Sequence, residues 1–436
     1  MAIEWYYLLP LALSLLMVLL LLGVPIFATF LLLNVLGVLA LIGPAGYGML
    51  VNSIYSSASS VSLAAIPLFV LMGEVLFRSG SVDVLFDALQ KILGRVRGRL
   101  YYFVISLSAI FGALSGSGIA VTAMLGNTAL KTMLQRGYDR RLSVSMILAG
   151  AALAPIIPPS TMAVVIGSVA DVSIAKLLLA GLLPGILMAV IFAAYIALTV
   201  RAHPELSPAE EEVTHVTRAE KLRALVQCLP FGLVVFAVMG FILLGIATAT
   251  EAAATGVLAS LLVAAFYGKL RLKMIAEAVR SAVTVTTVMM AVIVSSTLFT
   301  QFLAFSGATS GLVESITDLP ISGLTFTLGA LLISFVMCMF IDQIAYLLLA
   351  VPIFQPIMQS YGLDPVWFWM LFAVFLSIGS NTPPFGYNLF TLHAVAEELD
   401  IQTIFSAAWK SVALVLVGVV IMMILPQVVT FIPSLI

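Results

Sequence analysis

Two eight-residue stretches could do chemistry because they interrupt apolar runs. They are Ala154-Pro155-Ile156-Ile157-Pro158-Pro159-Ser160-Thr161 and Gly379-Ser380-Asn381-Thr382-Pro383-Pro384-Phe385-Gly386. A proline removes an amide donor and obstructs the turn before it, so carbonyls in such a run lose their helical partners. Freed carbonyls and neighbouring hydroxyls are hard oxygen ligands suited to Na⁺, while the amides that open the next helix favour an anion. Pro155, Pro158, Ser160, Thr161, Ser380, Asn381 and Thr382 are therefore candidate ion- or substrate-binding positions. A proline kink made for packing is the competing reading.

Two further interruptions carry polar groups. Ser115-Gly116-Ser117-Gly118 offers small residues for close backbone approach and two hydroxyls for ligation, although small-residue helix packing uses similar sequences. Asp342, followed by Gln343, lies deep in an apolar run. A carboxylate in hydrocarbon is costly enough that it must face a partner or a water-filled cavity, in an ion-coupling role or a structural one. Glu74 fits a scaffold contact or a partner-subunit contact. Glu251, after Thr248 and Thr250, reads as a helix cap. His203, His215 and His393 map to loops or span ends, which argues against intramembrane zinc, haem or Ser-His catalysis and hence against an enzyme. Cys228 and Cys338 read as apolar packing residues.

The elements that must position these residues are membrane spans. Of 436 residues, 62% are hydrophobic and 9% charged, with a mean hydropathy of +1.21, too few polar groups to coat a soluble core. Apolar runs of bilayer-crossing length cover 5–22, 24–43, 64–82, 142–169, 176–200, 226–244, 247–267, 283–304, 367–391 and 403–434. The first begins almost at Met1 without a basic leader, and reads as a retained span. The segments 101–128 and 324–352 are apolar but broken near their middles. Halves of about 13 residues, roughly 20 Å long, are short of the hydrocarbon core, so each segment suits a re-entrant hairpin; one long tilted helix is the alternative.

Charge placement favours hairpins. Lys91, Arg95, Arg97 and Arg99 precede the first segment and Lys131, Arg136, Arg140 and Arg141 follow it, putting both flanks in the cytoplasm. The second segment lies in a stretch from Ser281 to Trp409 with no lysine or arginine, and its flanks belong outside. Further basic clusters, Arg201 to Arg223 and Lys269 to Arg280, agree with this map, and Lys176 dissents. Sliding the sequence on itself by 225 residues superimposes Gly137-Tyr138-Asp139 on Gly362-Leu363-Asp364, Pro158-Pro159 on Pro383-Pro384, and Ser117 on Asp342. Two halves follow, 1–200 and 226–436, joined by a polar cytoplasmic linker, 201–225, with the acidic run Glu210-Glu211-Glu212. Five crossings and a hairpin in each half force the second to enter the membrane reversed, the inverted repeat of secondary transporters. The expected fold is all-α and polytopic, with two re-entrant hairpins and two broken helices.

The set Ala65-Ile66-Pro67-Leu68-Phe69 with Gly73-Glu74, Gly112 to Gly118, Pro155 to Ser160, Thr248 to Glu251, and Thr382 to Phe390 resembles the large membrane subunit of tripartite ATP-independent periplasmic (TRAP) transporters over essentially the whole chain. Ala249 departs from the family, which usually has proline between the two threonines. The resemblance implies an elevator-type mechanism, in which a transport domain moves against a scaffold, and Na⁺ as coupling ion without other cofactors. Ser115, Ser117, Asp342 and Thr382 are the positions expected near the ion. It further implies a small four-helix membrane subunit, a periplasmic substrate-binding protein, and an organic-acid substrate such as a C4-dicarboxylate or sialic acid. A bacterial or archaeal cytoplasmic membrane is the expected location, and nucleic acid is not an expected partner. A stand-alone ion-coupled di- or tricarboxylate carrier, a membrane-embedded hydrolase and a passive channel are the alternatives.

Overall fold

The computed structural model describes residues 4–41, 43–93, 96–208, 217–396 and 398–436, and these are helical with no strand among them. Arg95, the run Glu210 to Glu212 and His215 lie outside the described residues. In chain order the first half holds α1 (Trp5–Leu21), α2 (Ile26–Leu41), α3 (Tyr47–Ala58), α4 (Ala65–Arg78) and α5 (Ser81–Leu93). It continues with α6 (Arg99–Ser115), α7 (Gly118–Leu125), α8 (Lys131–Gln135), α9 (Arg140–Ala151), α10 (Thr161–Val169), α11 (Ile174–Ala180) and α12 (Leu182–Ala202). The second half holds α13 (Arg218–Val235), α14 (Phe241–Leu243), α15 (Ala249–Phe266), α16 (Leu272–Phe305), α17 (Ala308–Thr317) and α18 (Gly323–Cys338). After these come α19 (Gln343–Ser360), α20 (Pro365–Gly379), α21 (Tyr387–Val395), α22 (Ile401–Ile424) and α23 (Gln427–Thr430). Among the described residues seven stretches are long and apolar enough to cross a membrane, and Trp5–Leu21, Ile26–Leu41, Arg99–Ser115, Gly323–Cys338 and Pro365–Gly379 are shorter apolar helices.

The same punctuation starts the central helix of each half. Gly137 and Gly362 take left-handed φ angles of 78° and 62°, which end the preceding helix without a Cβ clash. Two residues later Asp139 and Asp364 cap α9 and α20, their Oδ1 atoms accepting from the amides of Leu142 and Trp367 at 2.8 Å in both cases. Leu142 to Ala151 in α9 and Val366 to Gly379 in α20 are buried all round, which places these two helices in the interior. Around them pack α6, α7, α10, α11, α12, α18, α19, α21 and α22. A second group, α1 to α5 with α13 and α15 to α17, packs alongside, and α4, α5, α16 and α17 make the contacts between the groups.

Three differences from the expected map have physical reasons. The two interrupted segments are longer than their expected halves: α6 has 17 residues, α18 has 16 and α19 has 18. Helix α19 runs through Pro352 and Pro356 to Ser360, and the Leu348 carbonyl that Pro352 frees accepts from the Ser296 hydroxyl of α16 at 2.5 Å. At 1.5 Å per residue α19 is about 27 Å long, so the argument from short halves does not hold for it. Second, the expected span 283–304 is part of a 34-residue helix whose first turns carry Lys273, Glu277 and Arg280. Third, α3, α5 and α17 are short amphipathic helices that a search for bilayer-length apolar runs passes over.

Candidate functional site

At the first tip, α6 stops at Ser115 because Gly116 adopts φ 62°. Thr161, the first residue of α10, donates its hydroxyl to the Gly116 carbonyl at 3.2 Å. A Cβ on residue 116 would lie 2.9 Å from Thr161 Oγ1, so both backbone angle and approach require glycine here. Ser117 caps α7, its Oγ accepting from the Ala120 amide at 3.3 Å, while Ser115 Oγ accepts from the Ser117 amide at 3.4 Å.

At the second tip, Asp342 caps α19: one carboxylate oxygen accepts from the amides of Ile344 and Ala345 at 3.0 and 3.2 Å. The next residue, Gln343, donates its side-chain amide to the hydroxyl of Tyr387 at the start of α21. Each tip is thus fastened by a side chain to the broken helix of its own half. Phe340 and Phe385 add a ring contact across the second pair, with centroids 5.8 Å apart.

The breaks are built from buried polar residues. Ser160 Oγ donates to the Pro155 carbonyl at 2.6 Å and accepts from the Ala163 amide, satisfying the end of one helix and the start of the next. Asn381 donates to the Leu148 carbonyl of α9 at 2.9 Å, joining the second break to the first half. Asn388 donates to Asn381 Oδ1 at 2.7 Å and to Ser380 Oγ at 3.3 Å, and Thr382 donates to the Ile378 carbonyl at 2.8 Å. Both Pro158-Pro159 and Pro383-Pro384 bonds are cis. The side-chain oxygens of Gln343 and Asn388 are buried without a hydrogen-bond partner, and neutral oxygens of this kind suit a monovalent cation.

The two tips, Pro155 of the first break and the starts of α10 and α21 meet at a cavity of about 280 Å³. Of the sequence-derived candidates Ser115, Gly116, Ser117, Pro155, Thr161 and Asp342 line it, whereas Pro158, Ser160, Ser380, Asn381 and Thr382 do not and are buried behind it. The second helix group supplies Glu74 and Phe77 from α4, and Val285 and Met289 from α16. Asp342 also borders a wider groove of about 570 Å³ beside the α1–α2 turn at Gly23, Val24 and Pro25. A larger cleft, about 750 Å³ with Lys131, Arg140 and Glu398 in its lining, contains none of the breaks.

Sequence reasoning left Gln343, Tyr387 and Asn388 off the candidate list, although all three stand within or beside the marked interruptions. It also missed Arg78, which bonds Glu74 at 2.8 Å and approaches Glu277 of α16 at 3.7 Å. The four-residue spacing of Glu74 and Arg78 was the available signal. Glu251 behaves as expected of a cap, accepting from the Thr248 amide at 2.8 Å while Thr248 Oγ1 accepts from the Glu251 amide. His203 pairs with exposed Glu205, and the ring of His393 lies 3.1 Å from the Leu399 carbonyl.

A multi-pass helical protein whose tips and broken helices converge on one cavity has the build of a membrane transporter. Residues 13–428 match the family described as the DctM component of the tripartite ATP-independent periplasmic transporters, and the chain belongs to that family as a large permease subunit. It is 30% identical to the ectoine TRAP transporter large permease protein of Halomonas elongata, over 86% of this chain and 88% of that one. Identity to the C4-dicarboxylate TRAP transporter large permease protein of Pseudomonas aeruginosa is 29%, covering 90% and 91% respectively. The sialic acid TRAP transporter permease protein of Haemophilus influenzae is 28% identical, over 87% of this chain and 61% of its own length. In fold the chain is similar to the YdaH transporter of Alcanivorax borkumensis, with a TM-score of 0.66 at 12% identity over 87% of this chain and 88% of that one.

Proposed function

We propose that this permease is the membrane-embedded part of a Na⁺-coupled importer of small organic acids in the bacterial cytoplasmic membrane. A small four-helix subunit would enlarge its scaffold, and a periplasmic binding protein would deliver the substrate. The observation that carries the reading is the cavity where both tips, Pro155 of the α9–α10 break and the first residues of α10 and α21 meet residues of α4 and α16. In this reading α6 to α12 with α18 to α22 form the moving unit and α1 to α5 with α13 and α15 to α17 the scaffold, in an elevator-type exchange. The two segments enter as hairpins from opposite faces, and the halves 1–200 and 226–436 are reversed copies. Na⁺ travels as a co-substrate, held by hard oxygens near Ser115, Ser117, Asp342 and Thr382, while Pro155, Pro158, Ser160, Thr161, Ser380 and Asn381 shape the neighbouring backbone.

The test is uptake into proteoliposomes that contain the permease and the small subunit, supplied with loaded binding protein. Uptake is expected to need the binding protein and an inward Na⁺ gradient. Uptake undiminished without the binding protein would support a stand-alone carrier, and indifference to Na⁺ would remove the coupling.

A further inference from the structure

Away from the tips, the cleft of about 750 Å³ is lined from two sides by groups of opposite charge. Lys131 of α8 and Arg140 of α9 stand on one side, with the carboxamides of Asn127 and Gln135; Glu398, which follows α21, stands on the other. The sides are held together at Gly126, where α7 passes into a π-helical turn, because a Cβ there would collide with the Val395 side chain. Lys131, Arg140 and Glu398 are exposed, and among the described residues none of the three side chains has an ion pair or a hydrogen bond. Solvated charges need no partner, so the charges alone name no ligand.

The surface beside them does. The helices around the cleft pack chiefly on their own group, α9 on α6, α7 and α22, and α21 on α7 and α22, so this face is turned away from α4 and α16. On it an aromatic strip is left open. Phe390, one turn before Ala394 of the cleft lining, is exposed and meets Phe405 of α22 with ring centroids 6.3 Å apart, and Trp409, one turn further along α22, is 52% exposed. Lys131, Arg136, Arg140 and Arg141 set this end of the molecule at the cytoplasmic surface of the membrane, the level at which headgroups and exposed tryptophans meet. A charged cleft next to an exposed aromatic strip has a place for a headgroup and a place for acyl chains, whereas a soluble ion would use only the first.

We propose that this cleft binds the headgroup of a phosphatidylethanolamine-type lipid of the cytoplasmic leaflet, with the phosphodiester at Lys131 and Arg140 and the primary ammonium at Glu398. An anionic headgroup without an amine leaves Glu398 facing a phosphate, and a choline headgroup has no N–H to donate to it. The test uses the full permease, delipidated in detergent and offered phosphatidylethanolamine, phosphatidylglycerol or phosphatidylcholine with the same chains, and counts retained lipid by native mass spectrometry. Wild type is expected to keep phosphatidylethanolamine about threefold over either of the others, the scale on which exposed ion pairs act. Lys131→Gln combined with Arg140→Gln should abolish that excess, and Glu398→Gln should bring phosphatidylglycerol level with phosphatidylethanolamine, while both variants melt with wild type in the absence of lipid. Equal retention of the three lipids by wild type, or a preference that survives both sets of substitutions, overturns the proposal and leaves only ordinary annular lipid. Glycerophosphoethanolamine, the same headgroup without chains, is the last arm: a rise in melting temperature equal to that given by the lipid would assign the cleft to a soluble ligand and overturn the lipid.

Discussion

The two tips occupy matching places in the repeat and meet the same cavity, yet they are made differently. The first is Ser-Gly-Ser-Gly, and its fastening is a side-chain hydroxyl on a backbone carbonyl, Thr161 to Gly116. The second carries Asp342 and Gln343, and its fastening joins two side chains, Gln343 and Tyr387. A tip built on glycine gains closeness, since nothing larger fits between its backbone and α10. A tip built on a carboxylate gains charge, which its partner lacks. The two tips thus divide the labour: one approaches and the other bears the electrostatics.

Substitutions can break this contrast. The largest effect is expected at Gly116→Val, which puts a branched side chain on a left-handed backbone with its Cβ 2.9 Å from Thr161 Oγ1. Binding-protein-dependent uptake should fall below measurable levels while the protein still inserts and elutes as a single species in detergent. Asp342→Asn comes next. Asparagine caps a helix as well as aspartate does, so this change removes charge and spares the cap. The Na⁺ concentration for half-maximal uptake should rise about tenfold, a change of roughly 1.4 kcal/mol. Unchanged rate and Na⁺ dependence would reduce Asp342 to a capping residue and erase the contrast. Tyr387→Phe, which deletes one hydrogen bond of the second fastening, should slow uptake by roughly two- to tenfold, in keeping with about 0.5–1.5 kcal/mol for such a bond. The smallest effect on transport belongs to Glu251→Ala, far from either tip. Loss of its capping box should lower the melting temperature slightly, with uptake per folded molecule unchanged.

Much of this arrangement was legible in the chain because its causes are local. Proline pairs stop helices wherever they fall, Gly-X-Asp starts α9 and α20, and apolar runs mark the spans. The six candidates that line the cavity stood at such interruptions. What stayed hidden depends on neighbours distant in sequence. Pro352 and Pro356 look like terminators, yet α19 continues through them in a packed surrounding. The partnership of Gln343 with Tyr387, and the position of Glu277 near Arg78, are products of assembly that no spacing rule encodes. Ser380, Asn381 and Thr382 were marked for binding by their polarity, whereas the structure places them behind the cavity wall. There Asn388 donates to Asn381, and Asn381 donates to the α9 backbone.

The bond from Asn381 to the Leu148 carbonyl reaches across 233 positions of sequence, from the break of one half to the central helix of the other. Helices α9 and α20 otherwise have mostly different neighbours and share α22, so this bond adds a second tie between them. Each half carries one such joint, and without a tie either could shift alone. The bond rivets the second joint to the helix that leads into the first, so a pull on one is felt as a load on the other.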